Sequence, residues 1–255
     1  MLNDVRLFLR RELNIRLREP VWIIMGLVQP VLYMFFFGPL VERFAIYTPG
    51  FPPGDVWTIF APALMVQMVI IGSTFVGMGL LAERRAGVVE RFRVTPASAV
   101  ALLLGKVLTV AISVLIQSVL IVLVCSVAFG LRPSLPGLGL CLLIVGLLSI
   151  ALASCSYAIA LRIKSEDGLS ALLNALLLPL FLLSGTLLPI TQELAPRWLW
   201  QLSRINPVAY VMDAGRASFR GDFGADSLWV GLVAVISLAT VSLWWGSFTF
   251  AKEDA

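Results

Sequence analysis

Apolar residues in this chain come in long blocks, and polar residues collect in the gaps between them. Six blocks stand out: Val21 to Leu40, Trp57 to Leu81, Ala99 to Phe129, Gly137 to Leu161, Leu169 to Leu188 and Leu228 to Phe250. Each is about 20 residues or longer, the length a helix needs to cross the hydrocarbon core of a bilayer. The pattern predicts an all-α integral membrane protein with six transmembrane helices, one membrane domain over residues 1–255. The third block exceeds one crossing, so a tilted helix or one that starts at the surface is expected. Residues 1–19 are too charged to cross. Leu2, Val5, Leu9 and Leu13 recur there at helical spacing, with Asp4, Arg11 and Arg18 opposite, which predicts an interfacial helix on the inner membrane surface. Glu12 and Arg16 interrupt its apolar face.

Composition agrees. The 255 residues are 59% hydrophobic and only 13% charged, about half the charge that a soluble domain carries. The mean hydropathy is +0.95. The first block is too long for a signal-peptide core and no small-residue cleavage pattern follows it, so it is read as a retained span. Cys125, Cys141 and Cys155 lie within apolar stretches without metal-ligand spacing and read as small buried hydrophobes. Histidine is absent, which removes Ser-His and Cys-His nucleophiles and imidazole metal sites.

The net charge of +4 comes from 19 Lys and Arg against 15 Asp and Glu. The basic residues sit beside apolar blocks and read as topology signals, not nucleic-acid contacts. With six spans and an inner N-terminus, only Arg43, Arg132, Arg197, Arg204, Arg216 and Arg220 fall outside; the other 13 of the 19 face inward. That bias predicts a multi-pass protein of the cytoplasmic membrane with both termini in the cytoplasm.

Charged side chains are nearly missing from the blocks. Gln29, Gln67, Ser73, Thr74, Gln117, Asn174, Ser184 and Thr186 remain. A route lined by Gln29, Gln67, Thr74, Gln117, Asn174, Ser184 and Thr186 would suit an amphipathic cargo better than an ion, because ion pumps place ionisable groups at membrane depth. The plain alternative is that these amides and hydroxyls hold helices together. Pro30, Pro62 and Pro179 kink their helices, a common feature of membrane helices that decides nothing alone.

Residues 183–226 form a richer outer segment. Ser184-Gly185 and Pro189 interrupt the fifth block, and Trp198 and Trp200 favour headgroup level. Leu194, Trp198, Leu202 and Ile205 predict a short helix half sunk in the outer leaflet, and Asn206-Pro207 ends it. A second helix over 208–219 is expected to follow. This segment reads either as a re-entrant exit vestibule or as an ordinary interfacial anchor.

Residues 82–98 form a charged loop between spans two and three. Val88, Val89 and Phe92 make a small apolar stripe. Glu83, Arg84, Glu90, Arg91 and Arg93 flank it, and Thr95-Pro96 ends it. The pattern predicts a short cytoplasmic helix suited to docking in a groove of another protein, the apolar knob giving affinity and the charges fixing register. A positive-inside anchor with solvated charges is the alternative.

The run ERRAGVVERFRVTPAS, Glu83 to Ser98, resembles the loop of the type-2 ABC exporter permeases. The later SGTLLP, followed by Pro196, Trp198 and Asn206-Pro207, resembles the outer segment of the same family. Within it the chain is similar to the daunorubicin-resistance drug-export branch, although relatives also handle nodulation factors, polysaccharides and lipids. The resemblance implies that Glu83, Gly87, Glu90 and Pro96 belong to a coupling loop that contacts an ATPase. Gly185, Pro189, Asn206 and Pro207 would belong to an outer re-entrant motif, beside Trp198. Arg85 departs from the pattern, standing where an acidic or neutral residue is expected. The resemblance also implies two permease subunits, as homodimer or heterodimer, working with two ATPases.

A phosphate-cradling loop needs G-x-x-x-x-G-K-[ST]. The nearest candidate, Gly105-Lys106, has Val100 in place of the first glycine and is followed by Val107. ATP and Mg are therefore expected on a separate polypeptide, with membrane lipids as the other partner. Two rival readings remain: a membrane-embedded enzyme acting on lipids, with Asp213 and Arg216 as its best pair, and a passive channel.

Overall fold

A computed structural model describes residues 2–18, 21–47, 56–87, 98–163 and 165–253. Ten helices account for nearly all of them: α1 (Leu2–Arg18), α2 (Val21–Tyr47), α3 (Val56–Thr74), α4 (Val76–Arg85), α5 (Ala99–Phe129), α6 (Leu135–Ile163), α7 (Glu166–Leu182), α8 (Arg197–Ser203), α9 (Pro207–Arg220) and α10 (Asp226–Glu253). Among the described residues there is no strand.

At the centre stands α6, with α3, α4, α5, α9 and α10 packed around it. Its buried positions are mostly small, among them Ser149, Ala151, Ala153, Ser154, Ala158 and Ala160. Small side chains let helix backbones approach closely, which matters in lipid, where van der Waals contact rather than water exclusion holds helices together. By contrast α2 touches only α3 and α5 to any extent, and leaves Phe36 and Leu40 exposed.

Two core clusters mark the two ends of the bundle. Leu81, Leu103, Leu161, Leu169 and Phe250 meet at the end from which the charged loop leaves. At the other end Met34, Trp57, Leu131, Phe219 and Leu228 come together, and the Trp57 ring stacks on Phe129 with centroids 3.8 Å apart. Helices α2, α3 with α4, α5, α6, α7 and α10 thus run alternately up and down.

Five stretches are long and apolar enough to cross a membrane among the described residues: Ile23–Arg43, Val56–Arg85, Ala99–Phe129, Leu135–Ile163 and Asp226–Lys252. The fifth block of the sequence is shorter than expected. Its helix, α7, has 17 residues and stops at Leu182, about 25 Å of helix, because the turn at Ser184-Gly185 intervenes before the apolar run ends. The second block is not one helix but two. It breaks at Phe75, between α3 and α4. The Ser156 hydroxyl of α6 serves both sides of the break, donating to the Thr74 carbonyl and accepting from the Gly77 N–H at 2.9 Å. One hydroxyl, donor and acceptor together, satisfies the backbone groups that an interrupted helix exposes at this depth.

α1 does not stand apart from the bundle. Phe8 is buried against Ala101 and Leu102, and Arg16 donates to Ser113 at 3.5 Å. A Cβ on Gly105 would lie 2.6 Å from the Phe8 Cβ and 3.1 Å from the Leu9 nitrogen, so the close approach requires glycine there. Phe8 and Gly105, like Arg16 and Ser113, lie 97 positions apart; the constant offset means that α1 runs alongside the first half of α5 in the same direction. Its Phe8 face therefore meets protein, a contact that the expectation of a surface helix did not include.

Candidate functional site

Three groups of polar residues are set by this architecture. The first lies at the root of the charged loop. Glu83, on the last turn of α4, accepts from Lys106 of α5 at 2.8 Å. Lys106 Nζ is also 3.6 Å from Glu12 of α1, and Arg11 lies 2.9 Å from the same carboxylate oxygen. Lys106 is 5% exposed, so it meets these carboxylates in a largely desolvated setting, where an ion pair is far less screened than at the surface. The pair ties three helices together. Beside it, Arg85 reaches Glu166 of α7 at 3.1 Å, and the Arg84 side chain is engaged as well. Gly87 turns the chain off α4 with φ of +70°, its N–H donating to the Arg84 carbonyl at 3.0 Å. Glu90, Arg91, Phe92 and Pro96, with the short helix expected around them, lie outside the described residues.

The second group lines a cavity of about 660 Å³ enclosed by α1, α2, α3, α4 and α5. Gln29, Gln67 and Gln117, from three different helices, all reach it. Gln117 donates to the Ile23 carbonyl at 3.4 Å. The other expected route residues are elsewhere. Thr74 donates back to the Ile70 carbonyl within its own helix. Asn174 donates to the Ser170 carbonyl at 2.8 Å on an exposed face of α7. Ser184 and Thr186 are hydrogen-bonded to each other in the buried turn after α7.

That turn belongs to the third group. Gly185 has φ of +72°, a left-handed conformation that only glycine adopts without strain. Its carbonyl accepts from Arg216 Nη2 at 2.6 Å. Burial pulls the Arg216 guanidinium down to about 10, with Asp213 acting in the opposite direction. Asn206 caps α9 by accepting from the Val208 N–H at 3.0 Å, and its amide donates to the Leu180 carbonyl at 2.7 Å. Pro207 follows as the first residue of α9, a position where its missing N–H costs nothing. Pro189 is buried, whereas Trp198 is 65% exposed. Asp213 is engaged by Arg204 at 2.8 Å, and Arg204 also lies 5.3 Å over the Tyr210 ring. The two residues that an enzymatic reading would pair, Asp213 and Arg216, thus hold different parts of the outer segment.

Sequence reasoning missed Lys106 as a site residue. The signal was present: a lone cation in an apolar block, with Glu12 intruding on the apolar face of α1. The break at Phe75 carried no proline or glycine signal at the residue itself.

The chain matches the ABC-2 type transporter family over residues 3–219, and it belongs to that family. It is a multi-pass membrane protein of the transport class, and the family implies an ABC-transporter context with an ATPase partner. Among its relatives is a protein of Cyanophora paradoxa named "Putative transport permease ycf38", 27% identical over 198 residues that cover 77% of this chain and 67% of that one. A protein of the same name from Porphyra purpurea is 23% identical over 205 residues, 78% of this chain and 68% of the relative.

Proposed function

We propose that this chain is the permease subunit of an ATP-driven exporter that moves an amphipathic or hydrophobic cargo, a drug-like compound, lipid or glycolipid, outward across the cytoplasmic membrane. ATP and Mg bind a separate ATPase, present in two copies, and a second permease subunit completes the transporter.

Six crossings and cytoplasmic termini belong to this reading. α7 is the sixth: Leu169 near its start packs in the core cluster at the charged-loop end, and Leu180 near its finish bonds Asn206 at the other. Its 17 residues meet the lower limit of about 17 for a spanning helix. The outer segment after it, residues 183–226, is the re-entrant part.

The observation that carries the reading is the tie between Glu83 and Lys106. It braces the two ends of loop 82–98 against each other and against α1, so a force on the loop reaches the helices together. Glu83, Arg84, Gly87, Glu90, Arg91, Phe92 and Pro96 form the coupling surface. Co-purification with the cognate ATPase tests this. Glu90→Lys, which keeps Glu83, Glu12 and Lys106 themselves, is expected to lower complex formation and cargo-stimulated ATP hydrolysis at least tenfold. Unaltered complex formation would remove the docking role.

A further inference from the structure

Two polar side chains on the cavity wall are not accounted for by packing. Gln67 of α3 is 3% exposed, lines the cavity and has no hydrogen-bond partner among the described residues. Its amide reaches the cavity with both donor and acceptor capacity to spare. Arg16 of α1 also lines the cavity. Its contact is a neutral one, to the Ser113 hydroxyl at 3.5 Å, and no carboxylate among the described residues lies within ion-pairing distance of it. Glu12, one turn away, is already engaged by Arg11 and Lys106.

The spacing of these groups is compact. Ser113 and Gln117 are one turn apart on α5, so Arg16, Ser113 and Gln117 follow one another along a single wall, with about 6 Å between successive positions on the helix. Gln67 comes from a different wall. The rest of the lining is apolar, including Met68, Ile71 and Val114. The cavity opens beside the end of α1 and the start of α2, where Leu17 and Met25 line it and are 59% and 64% exposed. At about 660 Å³ it falls in the size range of small-molecule sites.

We propose that this cavity binds an anionic amphiphile. Its phosphate or carboxylate meets Arg16, an adjoining hydroxyl, amide or ester meets Gln67 and Gln117, and its apolar tail leaves past Leu17 and Met25. An anion there supplies the charge that Arg16 lacks and the hydrogen-bonding partner that Gln67 lacks. A cation would meet an uncompensated guanidinium. The proposal deepens the permease reading, on which it rests, by naming the class of cargo and locating its site within one chain.

The full-length chain in lipid nanodiscs provides the test, using photoactivatable oleate, photoactivatable phosphatidylglycerol and photoactivatable phosphatidylcholine as probes. One or both anionic probes are expected to label peptides of α1, α3 and α5 at least fivefold more than phosphatidylcholine does. Oleate labelling identifies a free carboxylate amphiphile as the ligand, and phosphatidylglycerol labelling identifies a membrane phospholipid. Arg16→Gln should abolish the preference while Arg16→Lys retains it. Gly72→Phe should reduce labelling by every probe, because Gly72 lines the cavity and a Cβ there has room, with Val114 at 3.9 Å. Equal labelling by all three probes, or labelling unchanged in both Arg16→Gln and Gly72→Phe, overturns the proposal. Co-purification of the same variants with the ATPase separates the two readings: lost labelling with an intact complex concerns the cavity, and intact labelling without a complex concerns the permease role.

Discussion

Glu12 and Arg16 look like flaws in an amphipathic helix when read from spacing alone. In the folded chain they are the residues of α1 that face the bundle, one toward Lys106 and the other toward Ser113. Periodicity could locate the inward face but could not say what awaited it, since the partners lie about a hundred positions away. Lys106 carries the most consequence. Replacing it with Met leaves Glu83 and Glu12 without their shared cation while both remain partly buried. A loss of about 1–3 kcal/mol is expected, the cost of stranding buried polar groups, and it would be read as a lower thermal midpoint in detergent. Lys106→Arg should keep most of the stability. Gly185 is a second such position. Gly185→Ala must either hold φ near +72° at a cost of about 1–2 kcal/mol or move its carbonyl away from Arg216. Circular dichroism melts of the two proteins compare directly, and an unchanged midpoint would mean that the turn is not held.

Individual helices were legible in proportion to their length and greasiness. Blocks 99–129 and 137–161 match α5 and α6 closely, because a run of that length has no other way to satisfy its backbone in lipid. The outer helix ended by Asn206-Pro207 and the one after it were also legible, since the proline fixes the boundary. Two features were not. The turn that ends α7 at Leu182 uses glycine, which the sequence flagged, but hydropathy continues past it to Leu188. The break at Phe75 depends on Ser156, a residue 81 positions away whose hydroxyl replaces the missing helical bonds. Ser156→Ala would leave the Gly77 N–H and the Thr74 carbonyl without that partner. The expected cost is about 1–3 kcal/mol, with faster hydrogen exchange at Gly77 and its neighbours than elsewhere in α4.

For the molecule as a whole, alternation of the helices places the root of the charged loop, the start of α7 and the end of α10 together. The sequence could not reveal the cavity, because its walls come from five helices and each contributes only a few positions. Three of the seven polar residues expected along a route do meet there, and the other four serve local turns and helix backbones. The exposed belt on α10, with Trp229, Val233 and Trp244, suits lipid or a second subunit; either environment hides apolar side chains that water would not.

The short helix α4 has two neighbours of different kinds. Its far end carries Glu83 and the stem of the loop, and its near end supplies Phe75, Val76 and Gly79 to the cavity lining. Because the hydrogen-bond ladder lapses between α3 and α4, the root of the loop and part of the cavity wall share one short piece, keyed to α6 by a single hydroxyl.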